Sequence, residues 1–179
     1  GVLTEAGFDA AGIECGMRCS SWHQRTHPHR LLLANGMKLP FEDRSFDLVY
    51  CGCVMPHVGT IGESHKMRPE YLEEREALAR EMTRVLRPGG FVLVCSPNRW
   101  CPVDLFHGRS AENPIPRINF PNDPFLLSPG DYRRLFQPFG CNHSELLPIS
   151  GYWGFVRRMK SWKGMITAVP VNTVFHLVS

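Results

Sequence analysis

No part of this 179-residue chain stays apolar for long. Residues 31–34 and 91–95 are among its longest such runs, far short of the roughly 20 residues that span a bilayer, so a transmembrane helix is not expected. An excess of one charge is missing too. The net charge is +3 and the pI near 8.5, too mild for wholesale binding to nucleic acid or to an anionic membrane. Paired cysteines are not evident: seven is an odd number, no CxxC occurs, and no basic-then-apolar leader opens the chain. The disulfide framework of a small secreted protein is therefore not expected, and a reducing, cytoplasmic setting is. Heptads, collagen repeats and low-complexity tracts are also absent. What remains is a chain 43% hydrophobic and 21% charged, with 16 Gly and 15 Pro marking its turns. That is enough to close one core, and residues 1–179 are read as a single domain.

Residues 2–7 predict the end of a helix stopped by glycine, and residues 9–14 a short buried strand that delivers Glu14 to its carboxyl edge. A helix over 16–26, stopped near Pro28, is followed by strands over 31–34 and 46–50. Glu42, Asp43, Arg44 and Ser45 turn between those strands. Residues 71–86 carry the clearest helical period. Tyr71, Leu78, Met82, Val85 and Leu86 share one face, with Glu73, Glu74, Glu76, Arg80 and Arg84 elsewhere. Arg87, Pro88, Gly89 and Gly90 end this helix, and residues 91–96 read as the next strand. A proline-rich excursion over 97–124 mixes aromatic and polar side chains, as functional loops do. Ser128, Pro129 and Asp131 form a helix start, carrying a helix to Phe136. Residues 146–149 and 171–178 predict two more strands. Alternating strands and helices make this an α/β fold with a mostly parallel sheet.

Two stretches give the chain a family likeness. Leu39-Pro40-Phe41-Glu42-Asp43-Arg44-Ser45-Phe46-Asp47-Leu48-Val49 is similar to the LPF-x-D-x-SFD-x-V segment of class I S-adenosylmethionine-dependent methyltransferases, type 11 in particular. Glu81-Met82-Thr83-Arg84-Val85-Leu86-Arg87-Pro88-Gly89-Gly90 resembles the helix and LRPGG turn before that family's fifth strand. The two occur in order, about forty residues apart. The resemblance implies a Rossmann-like, doubly wound, mostly parallel sheet with an antiparallel last strand. It also implies methyl transfer from S-adenosylmethionine to a small-molecule or lipid-like acceptor.

Site residues follow from the likeness. Glu14 is expected to accept from both ribose hydroxyls, or else to cap the next helix as an exposed acid. Asn35 stands where the family usually has an aspartate toward the adenine amino group, and it keeps one carbonyl acceptor. Gly36 and Met37 would face the adenine, Met37 with core packing as its ordinary alternative, while Tyr50, Cys51 and Gly52 would border the methionine portion. Methyl transfer needs exclusion of water, in-line alignment and, for a protic acceptor, a base. His57 and His107 are the catalytic candidates, with Asp104 a further base; a polar loop residue is the plain reading of each. The stretch from Ser96 to Gly108 resembles a substrate-side insertion spanning 97–127. Asn98, Arg99, Trp100, Asp104 and Phe106 are its acceptor-binding candidates, with Phe120 and Arg109 beside them; loop aromatics that only pin the excursion are the alternative.

The glycine-rich turn and the first strand of the family are not found in this sequence. In the family's strand order that strand is central, between the strand ending at Glu14 and the one beginning at Phe46. Without it adjacent strands would leave backbone groups unpaired, at a cost of several kcal/mol. Three explanations are open: a longer polypeptide, a homo- or hetero-oligomeric partner that donates the strand, or a non-catalytic methyltransferase-like subunit, a pseudoenzyme that scaffolds or activates a partner.

Other signals rank lower. Cys15, Cys19, His23 and His27 recur every fourth residue, but residues twelve apart on a helix lie about 18 Å apart, which defeats a single zinc site. The remaining cysteines read as small packed side chains. Residues 153–165 combine Arg157, Arg158, Lys160 and Lys163 with Trp153, Phe155 and Trp162. They suggest peripheral membrane contact or, more ordinarily, a helix joining the last two strands. No metal is expected, and nucleic acid is not an expected partner.

Overall fold

A computed structural model describes residues 2–62, 64–104 and 117–147. The chain divides into two compact units, one of residues 1–96 and 130–142, the other of residues 97–129 and 143–179. The substrate-side segment of the sequence reading, 97–127, falls in the second unit. The strands predicted over 148–149 and 171–178, and the basic stretch 153–165, lie outside the described residues. Residues 141–147 form no strand, which corrects the start of the one expected at 146.

In the first unit, α1 (Val2–Glu5) is stopped by Gly7 at φ +89°, a conformation glycine takes without strain. β1 (Gly12–Glu14) pairs in parallel with β2 (Leu31–Leu33), Glu14 opposite Leu33. Between them the expected α-helix is instead a 3-10 helix, Met17–Gln24. Two serines, a histidine and a tryptophan supply little helix propensity over those eight residues, so the tighter turn is an accessible alternative. The Cys15-to-His27 ladder is thereby broken, and no group of three His, Cys, Asp or Glu among the described residues could hold a metal ion.

β3 (Phe46–Gly52) pairs in parallel with β4 (Leu86–Cys95), and α2 (Tyr71–Arg84) precedes β4. Arg87, Pro88, Gly89 and Gly90 do not simply end the helix. They form an irregularity inside β4, since Phe46 pairs with Leu86 but Leu48 with Phe91. Glycine is required twice there. Gly89 sits at φ +82°, and a Cβ on Gly90 would fall 2.9 Å from the Asp47 carbonyl oxygen. The buried apolar side chains of this unit include Cys51, Met55, Leu78, Ala79, Met82, Val85 and Leu86 with Phe136. Leu78, Met82, Val85 and Leu86 are four of the five positions that the helical period put on one face.

Among the described residues no strand joins β1 to β3, so the parallel pairs β1–β2 and β3–β4 stand as separate two-stranded sheets. Their amino ends gather around one cleft, of about 250 Å³, lined by Ala10 and Ala11 before β1, Arg30 before β2, and Phe46 at the start of β3. The interruption falls where the family's strand order leaves it. Across the β3–β4 pair, Leu48, Tyr50, Phe91 and Leu93 remain exposed in cross-strand register.

In the second unit β5 (Val103–Asp104) and β6 (Arg117–Ile118) form an antiparallel pair. Phe125, Leu126 and Leu127 are buried. α3 (Pro129–Phe136) begins at the predicted start and belongs to the first unit from Gly130 onward. Among the described residues no helix is long and apolar enough to cross a membrane.

Candidate functional site

Glu14 closes β1. Its Oε1 accepts from the backbone N–H groups of Cys15 (3.0 Å) and Gly16 (2.9 Å), which turns the carboxylate over the bend that follows. Oε2 accepts nothing among the described residues. Both contacts precede the helix that starts at Met17, whose start carries no side-chain cap, so the capping alternative is not realised and the second oxygen is left available. At the end of β2, Asn35 Oδ1 accepts from Met37 N at 2.9 Å, so its single carbonyl acceptor is engaged by its own turn. That turn is pressed against β1 and α2. A Cβ on Gly36 would lie 2.9 Å from Leu78 Cδ1 and 3.8 Å from Ile13 Cδ1.

What holds the next residues is the pair Glu81 and Arg84 on α2, for which the sequence pattern predicted no contact role. Leu39 N donates to Glu81 Oε2 at 2.8 Å, while Arg84 donates to the carbonyls of Leu39 (3.2 Å) and Phe41 (2.9 Å) and to Asp43 Oδ1 (2.6 Å). Glu81 and Arg84 also pair with each other at 2.7 Å. The Arg84 hydrogen bond holds the Glu81 carboxyl below its usual range, and Glu81 in turn raises the guanidinium. The two recurrent sequence stretches are thus one unit: the second grips the first. The signal was present, since an Arg three residues after a Glu on one helix was legible, but its target 40 residues earlier was not.

At the carboxyl end of β3, Tyr50 is 56% exposed and its ring folds back over Gly52, where a Cβ would fall 2.4 Å from the phenol oxygen. Burial raises the Cys51 thiol, and burial with the neighbouring Cys95 raises Cys53, so these thiols stay protonated and make poor nucleophiles. Cys51 is buried as expected of a small packed side chain. Cys53 and Cys95 are exposed, which corrects that reading for them; all seven cysteines are free. His57 ends a helical turn, Met55–His57, whose first two residues are buried while the histidine itself is exposed. Arg75, buried on α2, donates to the Pro56 carbonyl at 3.1 Å and braces this turn from beneath.

Tyr132 on α3 belongs to the same unit and was not expected. Burial pushes its phenol up to about 12, the adjacent Ser96 at the end of β4 opposing part of the shift. The protonated form is the one the fold favours. Its contribution to stability should be whole below pH 10 and be lost as pH rises from 10 to about 12. Alkaline unfolding curves should show the wild type losing stability relative to Tyr132→Phe across that window. Parallel curves would contradict the assignment.

In the second unit Asn98 Oδ1 accepts from Trp100 N at 3.0 Å, and Arg99 donates through Nη1 to the Pro121 carbonyl at 3.3 Å. Trp100 is 55% exposed. Asp104, read as an acceptor contact or base, has a fully buried side chain 3.7 Å from Arg117. Arg117 also pairs with Asp123, donates to Asn119 Oδ1 at 2.6 Å and lies 5.0 Å over Phe125. This makes Asp104 part of a buried ionic brace within its own loop. Phe106, His107 and Arg109 lie outside the described residues. Among the described candidates, Glu14, Asn35, Gly36, Met37, Tyr50, Cys51 and His57 share the first unit, and Asn98, Arg99, Trp100 and Asp104 the second.

Parallel strand pairs followed by polar turns at their carboxyl ends, with a helix packed against them, define a Rossmann-like α/β protein. Residues 10–94 match the family described as methyltransferase domain. Over 63 residues it is 43% identical to the demethylmenaquinone methyltransferase of Bacillus pumilus. It is 41% identical over the same length to that of Bacillus cereus. Each alignment covers 35% of this chain and 21% of the relative. The chain thus matches about one fifth of the length of these curated relatives. Among solved structures, the PH0226 protein of Pyrococcus horikoshii aligns at 21% identity and a TM-score of 0.41, covering 54% of this chain and 40% of that one.

Proposed function

We propose that this chain binds S-adenosylmethionine at the carboxyl ends of β1, β2 and β3 and takes part in methyl transfer to a small, lipid-like quinol. The observation that carries the reading is Glu14, whose carboxylate is anchored through one oxygen by two backbone N–H groups while the other is left to accept. That free acceptor suits donation from two vicinal ribose hydroxyls. Asn35 fits less well, because its carbonyl oxygen is already engaged; its free contribution is the amide N–H₂. Met37 would lie along the adenine face and Tyr50 beside the methionine portion.

When bound, the cofactor supplies an electrophilic methyl group, so the chain's own residues need only orient the partners and manage one proton. Protonated Cys51 and Cys53 do not compete with the acceptor for the methyl group. His57, exposed on a turn with a buried base, would remove the proton from an acceptor hydroxyl. A quinol is the acceptor class favoured because the curated relatives are demethylmenaquinone methyltransferases. The gap between β1 and β3 is filled, in this reading, by a strand from outside the described residues, in the same polypeptide or from a partner.

Calorimetric titration of the protein with S-adenosylhomocysteine tests this directly, with saturable one-site binding expected. A folded sample that binds none overturns the cofactor assignment and favours a scaffolding subunit. In a sample that binds, His57→Gln should slow methylation of a detergent-dispersed quinol about 100-fold or more with unchanged cofactor affinity. Full turnover would leave His57 a bystander.

A further inference from the structure

At the amino ends of β3 and β4, away from the carboxyl-end turns, the chain builds an open groove of about 330 Å³ that the methyl-transfer reading does not use. Arg44, Arg80 and Arg84 line it, with Leu86 and Phe139 as its apolar part. The three arginines are not equivalent. Arg84 is committed to Glu81, Asp43 and the carbonyls of Leu39 and Phe41. Arg80 lies 5.5 Å over the Phe139 ring and adds to the positive field at Glu81, but forms no salt bridge among the described residues. Arg44 makes no ion pair among the described residues.

Arg44 also sits at φ +56°, held there because its N–H donates to the Arg84 carbonyl at 3.0 Å. Glycine or asparagine takes that conformation readily, and an L side chain as long as arginine does so against strain. A strained residue is retained where its side chain has work to do. Here the side chain adds a second uncommitted guanidinium to the same groove as Arg80. Asp43, the acid on its rim, is occupied by Arg84.

We propose that this groove binds the phosphate of a phosphomonoester, Arg44 and Arg80 donating N–H forks to its oxygens and Leu86 and Phe139 taking the adjoining organic part. Guanidinium is the group suited to this, since its planar fork matches phosphate oxygens in pairs. The site stands apart from the proposed cofactor contacts and does not depend on them.

The test is titration of the 179-residue protein with inorganic phosphate at fixed ionic strength, followed by amide resonances. Saturable shifts at Arg44, Ser45, Arg80 and Thr83 are expected, with affinity falling about fivefold to tenfold in Arg80→Gln. Arg44→Gly should do two opposite things: raise the melting temperature by relieving the strain, and remove the phosphate response. Glycerol 3-phosphate and vesicles of phosphatidylcholine with phosphatidic acid separate a soluble ester from a lipid headgroup as the source. A response reproduced by chloride at the same ionic strength, no saturable shift, or an Arg44→Gly protein that keeps its phosphate response overturns the proposal.

Discussion

Gly59→Ala is expected to cost about 3–5 kcal/mol, combining a left-handed backbone with a collision no rotamer relieves. Gly59 is buried at φ +85°, and a Cβ there would fall 2.4 Å from Tyr71 Cβ and 2.5 Å from Tyr71 Cα. Tyr71 is the first residue of α2, and the Gly59 carbonyl accepts from Arg68 N at 2.7 Å, so neither side can yield without displacing the helix start. Against a total stability of about 5–15 kcal/mol this is a large share, and the melting temperature should fall by roughly 10 °C or more. Gly62→Ala is the control. It has φ +60° but nothing within 4 Å of its Cβ, so only the backbone term of about 1 kcal/mol applies. Equal losses for the two in chemical denaturation would remove the Tyr71 contact from the account.

Glu14→Ala should weaken S-adenosylhomocysteine binding by about 1–3 kcal/mol, a factor of roughly 5 to 150, with little change in the circular dichroism of the fold. Glu14→Gln should fall between. Its one carbonyl oxygen can still accept from Cys15 and Gly16, as Oε1 of the native residue does, but nothing then remains to accept from a ligand. Calorimetry on the three proteins reads the order directly. Unchanged affinity in Glu14→Ala would take the residue out of the site.

The elements legible in the sequence were those where local pattern and tertiary demand agree. α2 was readable because one face of its 3.6-residue period is apolar, and the helix at Pro129 because serine and proline mark its start. The segment Met17–Gln24 was misread because good ligand residues at every fourth position imitate a helical stripe without supplying an apolar one. Arg87 to Gly90 were read as an end of structure, whereas they are an irregularity within a strand, since glycine marks both equally. Among the candidate residues, the place of Glu14 at a strand end was legible. Asp104 was not, because the partner that buries it, Arg117, lies across a strand pair closed 13 residues later.

By itself the sequence determined the two methyltransferase-like stretches and the alternation of strands and helices, because each is written in contiguous spacing along the chain. Only the tertiary structure decided what the charged side chains do. Glu81 and Arg84 grip the turn before β3, Arg117 seals Asp104, Arg75 braces the turn at His57, and Arg44 is left with Arg80 facing an open groove. Periodicity assigns a residue to a face of its own element. The partner of a charge is set by which distant backbone folding brings within hydrogen-bond reach, and short-range pattern holds no record of that.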